Sequence, residues 1–231
     1  MTVPSSLVPN LYLAPTPAGA LHVVTEAGSS AAEQLVREVL RAPHALRSDQ
    51  ADVMALSGAS TLDAAVDAVA QAQQAGWLEG NTDVPLVPEG PLGKELPGLL
   101  APLSETGQAA LDDDQGFALS SVGFNADIEL DVSTLAAELL RLKQRRGIVD
   151  SSSGAFAGFA LVDRFGASTV GFFPLLVGTQ QFVLIVGGLP RLHHPSFVPL
   201  VSALSRRYDS TAEPGETSTT STTSPGGSSH A

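Results

Sequence analysis

From residue 115 to residue 209 the apolar positions switch between the two-residue period of strands and the three-to-four-residue period of helices. GFALSSVGF reads as extended chain and LAAELLRLKQRRG as a helix. Three extended runs follow, GFALVDRFG, ASTVGFFPLLVG and QQFVLIVGG, and SFVPLVSALSRRY closes the unit as a helix. In VDRFGAST the residues RFGA join two apolar runs as a hairpin turn does. Upstream, ELPGLLAPLSETGQAALDDD begins with a helix that Pro97 and Pro102 keep short or broken.

The long helix carries two apolar stripes. Leu135, Leu139 and Leu142 recur at helical spacing with Ala136 alongside, which makes them the expected core stripe. Asp131 and Ser133 are good N-cap types ahead of it, Lys143, Arg145 and Arg146 suit the negative end of its dipole, and Gly147 suits the C′ position. Leu140 falls off the core stripe with Ala137 beside it on the turn. A second apolar strip calls for a second partner, so Ala137, Leu140, Arg141 and Gln144 are the candidate interface.

The first third of the chain is helical in pattern. NLYLAPTPAGALHVV reads as a short β-hairpin around a Pro/Gly turn at 15–19. SSAAEQLVREVLRAP has Ser30 and Glu33 at capping-box spacing, an apolar stripe of Leu35, Val36, Val39 and Leu40, and Pro43 as its stop. A short helix in SDQADVMALSG ends at Gly58. TLDAAVDAVAQAQQAGWLEG places Leu62, Val66 and Val69 on one face and ends at Gly76. Three short helices with an aromatic exit resemble a winged-helix module, and Trp77 is the expected plug at that exit.

NTDVPLVPEGPLG is rich in Pro and Gly and makes a natural linker. The expected division is a helical winged-helix-like module over 1–84, a linker over 85–94, a second domain over 95–209 and a disordered tail over 210–231. STAEPGETSTTSTTSPGGSSHA has no large apolar side chain with which to offset its ordering entropy.

After the linker the order is helix–strand–strand–helix–strand–strand–strand–helix, and this resembles the roadblock/LC7 family, with the bacterial MglB-like members and the LAMTOR-like members as analogies. Residues 116–123 with Phe124 match as the first hairpin, 134–146 as the central helix, 156–188 as a three-stranded meander and 195–208 as the closing helix. The resemblance implies an α+β fold in which helices sandwich one five-stranded antiparallel sheet. It also implies a homodimer formed through the central helix and an edge strand, and a non-enzymatic scaffold or regulator of a small Ras-like GTPase.

Composition narrows the chemistry. The chain of 231 residues has no cysteine, which removes disulfides, thiolate metal sites and cysteine nucleophiles. Its opening lacks the charged and apolar regions of a secretory signal, and its longest apolar runs fall far short of the roughly 20 residues that span a bilayer, so the expectation is a cytoplasmic protein. No GxxxxGK[ST], GxGxxG or GxSxG is present, and neither an enzyme nor a cofactor is expected.

Asp112, Asp113 and Asp114 read as a solvated turn, His193 and His194 as a loop, and no metal site is assigned. The sheet's Gly154, Gly158 and Gly171 leave either ligand space or close packing.

The alternative function is a DNA-binding transcriptional regulator with an N-terminal winged helix and a C-terminal sensing and dimerisation domain. Charge speaks against it: the net charge is −12, and residues 1–85 hold three arginines against nine acids. The candidate recognition helix has two aspartates, Gln71, Gln73 and Gln74, and no cation for phosphate.

Overall fold

The computed structural model describes residues 8, 10–25, 28–87, 90–146 and 158–209. The expected disordered tail, Gly147 and Gly154 lie outside them. Fifteen helical and strand elements lie among the described residues, in an α+β arrangement built on a five-stranded antiparallel sheet.

That sheet uses β3 (Ala109–Asp113), β4 (Ala118–Val122), β5 (Phe159–Val162), β6 (Ser168–Val177) and β7 (Gln180–Gly187), in the order β4-β3-β7-β6-β5. β7 is central because its run FVLIV is apolar on both faces, as a strand covered on both sides must be. Phe182, Leu184 and Val186 enter one core, while Val183 and Ile185 enter the other.

The first hairpin is shifted from its expected place at 116–124. Its strands are β3 and β4, and Gly116 lies in the turn with φ +89°. Asp113 sets that turn, its Oδ1 accepting from the Gln115 and Phe117 amides at 2.9 Å each.

One face of the sheet is covered by α5 (Leu92–Leu100), which runs into a single 3-10 turn at Ala101–Leu103, and by α7 (Phe197–Tyr208). Leu92, Leu96, Leu99 and Leu100 fall at helical spacing, so the last residues of the expected linker are already helix. The other face carries α6 (Ala126–Arg146).

The N-terminal helices are α1 (Pro17–Thr25), α2 (Ala31–Arg41), α3 (Gln50–Ser57) and α4 (Leu62–Gln74). They share one apolar core with α5, α7 and the sheet, running from Leu13 to Leu204. Polar contacts seal the seam between α2 and α7: Ser202 Oγ donates to the Leu40 carbonyl at 2.7 Å, and Arg41 Nη1 donates to the Asp209 carbonyl at 3.1 Å.

The N-terminal hairpin expected around 15–19 does not form. Pro17 occupies the first position of α1, where it forfeits no helical hydrogen bond, and Thr16 Oγ1 accepts from the Gly19 amide at 3.0 Å. β1 (Tyr12–Pro15) pairs instead with β2 (Leu78–Asn81), the strand leaving α4. Its other side bonds residues 46–48, with Leu13 N–H donating to the Leu46 carbonyl at 2.9 Å and Ser48 N–H to the Leu11 carbonyl at 2.8 Å. The strand beside β2, where a wing would return, is thus drawn from the beginning of the chain.

Local stop and start signals act as read. Ser30 and Glu33 close a reciprocal capping box on α2, and Gly58 ends α3 in the left-handed conformation. Glu33 also accepts from His22 Nε2 at 2.8 Å, and His22 stacks on Trp77 with ring centroids 4.0 Å apart. Burial by itself would raise the Glu33 carboxyl, but hydrogen bonds from the Ser30 amide, His22 and the Ser30 hydroxyl outweigh it and hold Glu33 below its ordinary value. A lowered carboxyl contributes stability above the ordinary glutamate range and loses it as pH falls through the lowered value. Glu33→Ala is therefore expected to cost about 1 kcal/mol at pH 7 and to flatten the acid limb of stability. Urea midpoints measured from pH 7 to pH 3 check both.

Candidate interaction surface

The site begins with the length of α6. Asn125 caps it, its Oδ1 accepting from the Ile128 amide at 2.9 Å and its carbonyl from the Glu129 amide at 2.9 Å. The helix therefore starts eight residues ahead of the expected 134. The acidic segment ADIELD is its first turns, where carboxylates meet the positive end of the dipole. Asp131 and Ser133 lie inside the helix and cap nothing.

Correct placement of the start changes the roles of the two stripes. Val132, Ser133, Ala136, Ala137 and Leu140 are the buried face, packed on the sheet around Ala110, Phe172, Val183 and Ile185. Ala137 and Leu140, expected on a partner surface, are 4% and 3% exposed. Their small neighbours explain this. Alanines at 136 and 137 let the helix lie low on the sheet, and a Cβ added at Gly116 would sit 3.2 Å from that of Ala137.

The leucines expected in the core, Leu135, Leu139 and Leu142, are only half-buried, on the flank of the helix. With Ile128 they fall at positions 128, 135, 139 and 142, the three-four alternation of a coiled-coil seam. Leu135, Leu139, Phe159 and Val170 are partly buried against the same small core.

β5, which carries Phe159, is the edge of the sheet, and Leu161 and Val162 along it are 45% and 59% exposed.

A groove of about 570 Å³ runs along this flank between Leu135, Leu139 and Leu142 on one side and Glu138, Arg141 and Arg145 on the other. Arg141 and Gln144 are exposed as expected, and Gln144 Nε2 donates to Gln181 Oε1 at 2.7 Å. Charge is segregated along the helix. Asp127, Glu129 and Asp131 occupy the first turns, and Arg141, Lys143 and Arg145 the last. Burial holds the Lys143 amine below its ordinary value.

The other residues singled out in the sequence fall elsewhere. Asp113 and Asp114 are in the turn, but Asp112 is not solvated. It is wholly buried at the end of β3, facing α6. His193 and His194 lie in the loop before α7, where His194 Nδ1 accepts from the Ser196 amide at 3.2 Å. Gly171 marks close packing, since an added Cβ would lie 2.7 Å from the Phe173 ring. Trp77 is half-buried against the main core.

On α4 the exposed positions are Asp63, Ala64, Asp67, Gln71, Gln73 and Gln74, so its outward side offers no cation to a phosphate. No single helix among the described residues is long and apolar enough to cross a membrane.

No family model and no curated protein matches the chain. Among solved structures it is similar to a roadblock/LC7 domain from Streptomyces avermitilis, at 19% identity over 48% of this chain and 89% of that one, with a TM-score of 0.34. MglB of Myxococcus xanthus is similar at 16% identity over 54% of this chain and 95% of that chain, with a TM-score of 0.34. For the gliding protein MglB of Thermus thermophilus the values are 18%, 52%, 93% and 0.31.

Proposed function

We propose that this chain is a non-enzymatic interaction protein, a homodimer that scaffolds or regulates a small Ras-like GTPase. One observation carries the dimer. The heptad-spaced flank of α6 is half-exposed, Leu161 and Val162 are exposed on β5, an edge strand among the described residues, and a second copy covers both at once.

Segregated charge gives the pairing its direction. Two copies of α6 laid antiparallel set the acidic first turns of one against the basic last turns of the other, whereas a parallel pair sets like against like. The order of elements from α5 to α7, as read in the sequence, supports the small GTPase as the class of partner. The helical module over 1–84 is the winged-helix-like part of this reading, and the uncharged or acidic outer side of its α4 suits a protein neighbour better than nucleic acid.

Sedimentation of the full chain tests the proposal. A dimer at micromolar concentration is expected, and a strict monomer would sink it. Leu142→Ala trims the seam where the side chain leans least on its own sheet. It is expected to weaken the dimer about tenfold, from loss of apolar contact on both copies, with the circular dichroism spectrum unchanged. Mixing the chain with a small GTPase in its GDP and GTP-analogue forms then tests the partner class.

A further inference from the structure

Asp112 is the anomaly of this fold. It lies 0% exposed at the end of β3, and neither carboxylate oxygen has a hydrogen-bond partner among the described residues. The facing Ser133 hydroxyl on α6 is buried and equally unpaired, although close enough to favour the ionised form of the acid. Buried carboxylates are ordinarily paired, because an isolated charge in an apolar site is costly.

The surroundings make ionisation worse. Glu129 from α6 and Asp113 from β3 both bring negative charge, while β7 presents Val183 and β4 Ala118 at the register of Asp112.

The second hairpin of the sheet carries no acid at the matching position. Residues 111–117 and 161–167 are built alike. Each breaks register after its leucine, and each turn is held by an aspartate Oδ1 accepting two amides, Asp113 in one and Asp163 in the other. The position of Asp112 is filled there by Val162.

We propose that Asp112 and Ser133 form a proton-operated latch beneath α6, which seats the helix more firmly on the sheet when Asp112 is protonated and loosens it when Asp112 is ionised. The neutral acid can pair with Ser133 Oγ and leaves no charge in the apolar site, whereas the ionised acid can accept from Ser133 but keeps its charge buried. Burial raises this carboxyl to about 6 against the opposing hydrogen bond of Ser133, with smaller upward pushes from Glu129 and Asp113. A raised carboxyl binds its proton more tightly with α6 seated than with it lifted. The extra stability is therefore full below the ordinary aspartate range and is lost as pH rises through about 6. The outer flank of the same helix is the proposed dimer seam, so self-association follows the latch. That consequence, though not the latch, rests on the dimer reading above.

The test reads two signals on the full chain. Amide hydrogen-exchange protection of residues 132–140, corrected for intrinsic exchange, reports the latch, and sedimentation reports the dimer. Between pH 5 and pH 7.5 protection is expected to fall about tenfold in the native chain, the part of a roughly two-unit shift that is lost above pH 5. In Asp112→Asn it is expected to stay flat, and Asp112→Val, copied from the second hairpin, gives the same flat profile if the asparagine variant fails to fold. Equal pH dependence in native and variant chains, or none in either, overturns the latch. A chain monomeric at every pH whose protection still follows Asp112 supports the latch and overturns only the dimer.

Discussion

Gly19→Ala is expected to cost about 3 kcal/mol of stability, the upper range for forcing an extra carbon into filled space, and to dislodge α1 from the small sheet. The reason is neither helix propensity nor backbone conformation, since alanine is the better helix former. The Gly19 Cα abuts the Trp77 main chain, so an added Cβ would lie 2.7 Å from the Trp77 Cα, 2.8 Å from its carbonyl carbon and closer still to its oxygen. No side-chain rotation relieves a clash with backbone. The strands must part, and with them go the Thr16 N–H bond to the Trp77 carbonyl at 3.0 Å, the Thr16 Oγ1 bond to the Gly76 carbonyl at 2.6 Å and the stacking of His22 on Trp77. Gly76→Ala is the matched control. Its φ is +72° but nothing lies within 4 Å of the added carbon, so only the left-handed conformation resists, at about 1 kcal/mol. Urea unfolding followed by the fluorescence of Trp77, the sole tryptophan, ranks the two. A Gly19→Ala cost no larger than that of Gly76→Ala would mean that α1 does not sit against Trp77.

How much of this fold can be read in the sequence depends on how far apart the deciding residues are. The capping box at Ser30 and Glu33, the stop at Gly58, the shortness of the helix around Pro97 and the turn at RFGA each act within a few residues, and each stands where expected. The order of elements from α5 to α7 follows from such local signals. The pairing of β1 escapes them because its partner lies more than 60 residues away, and nothing in NLYLAP distinguishes a strand paired with its neighbour from one paired with β2. On α6 the error is one of rotation. Starting the helix at 134 hides Val132, the residue that aligns Ala136 and Leu140 as a buried row, and large leucines then outrank alanines as core candidates. Close helix–sheet packing reverses that ranking: small residues go beneath the helix and leucines go to its flank, where they remain half-open. Asp112 misleads for a similar reason. Three aspartates in a row look like solvent, and only the register of β3 shows that the first of them points inward.

Reversing the charges at the basic end of α6 with Arg141→Glu and Arg145→Glu is expected to weaken the proposed dimer about 100-fold, and reversing the acidic end as well should bring most of it back. Both arginines are exposed and flank the groove beside Leu142, and Asp127 and Asp131 are exposed on the same side of the helix three to four turns earlier. In an antiparallel pair each end of one helix meets the opposite end of the other. Turning the basic end acidic thus places acid against acid twice, at a cost of about 3 kcal/mol for the assembly. The monomer itself should change little, because surface charges away from a core are worth fractions of that. The fourfold variant with Asp127→Lys and Asp131→Lys restores opposite charges at both ends in swapped order. In a parallel pair like ends face like in the native, double and fourfold chains alike, so neither the loss nor the rescue is expected. Sedimentation of native, double and fourfold variants at low and high salt separates the two, since a charge effect of this kind fades as screening rises. Rescue fixes both the face and the direction of the pairing, and a double variant that remains as tightly dimeric as the native chain removes an antiparallel α6 from the interface.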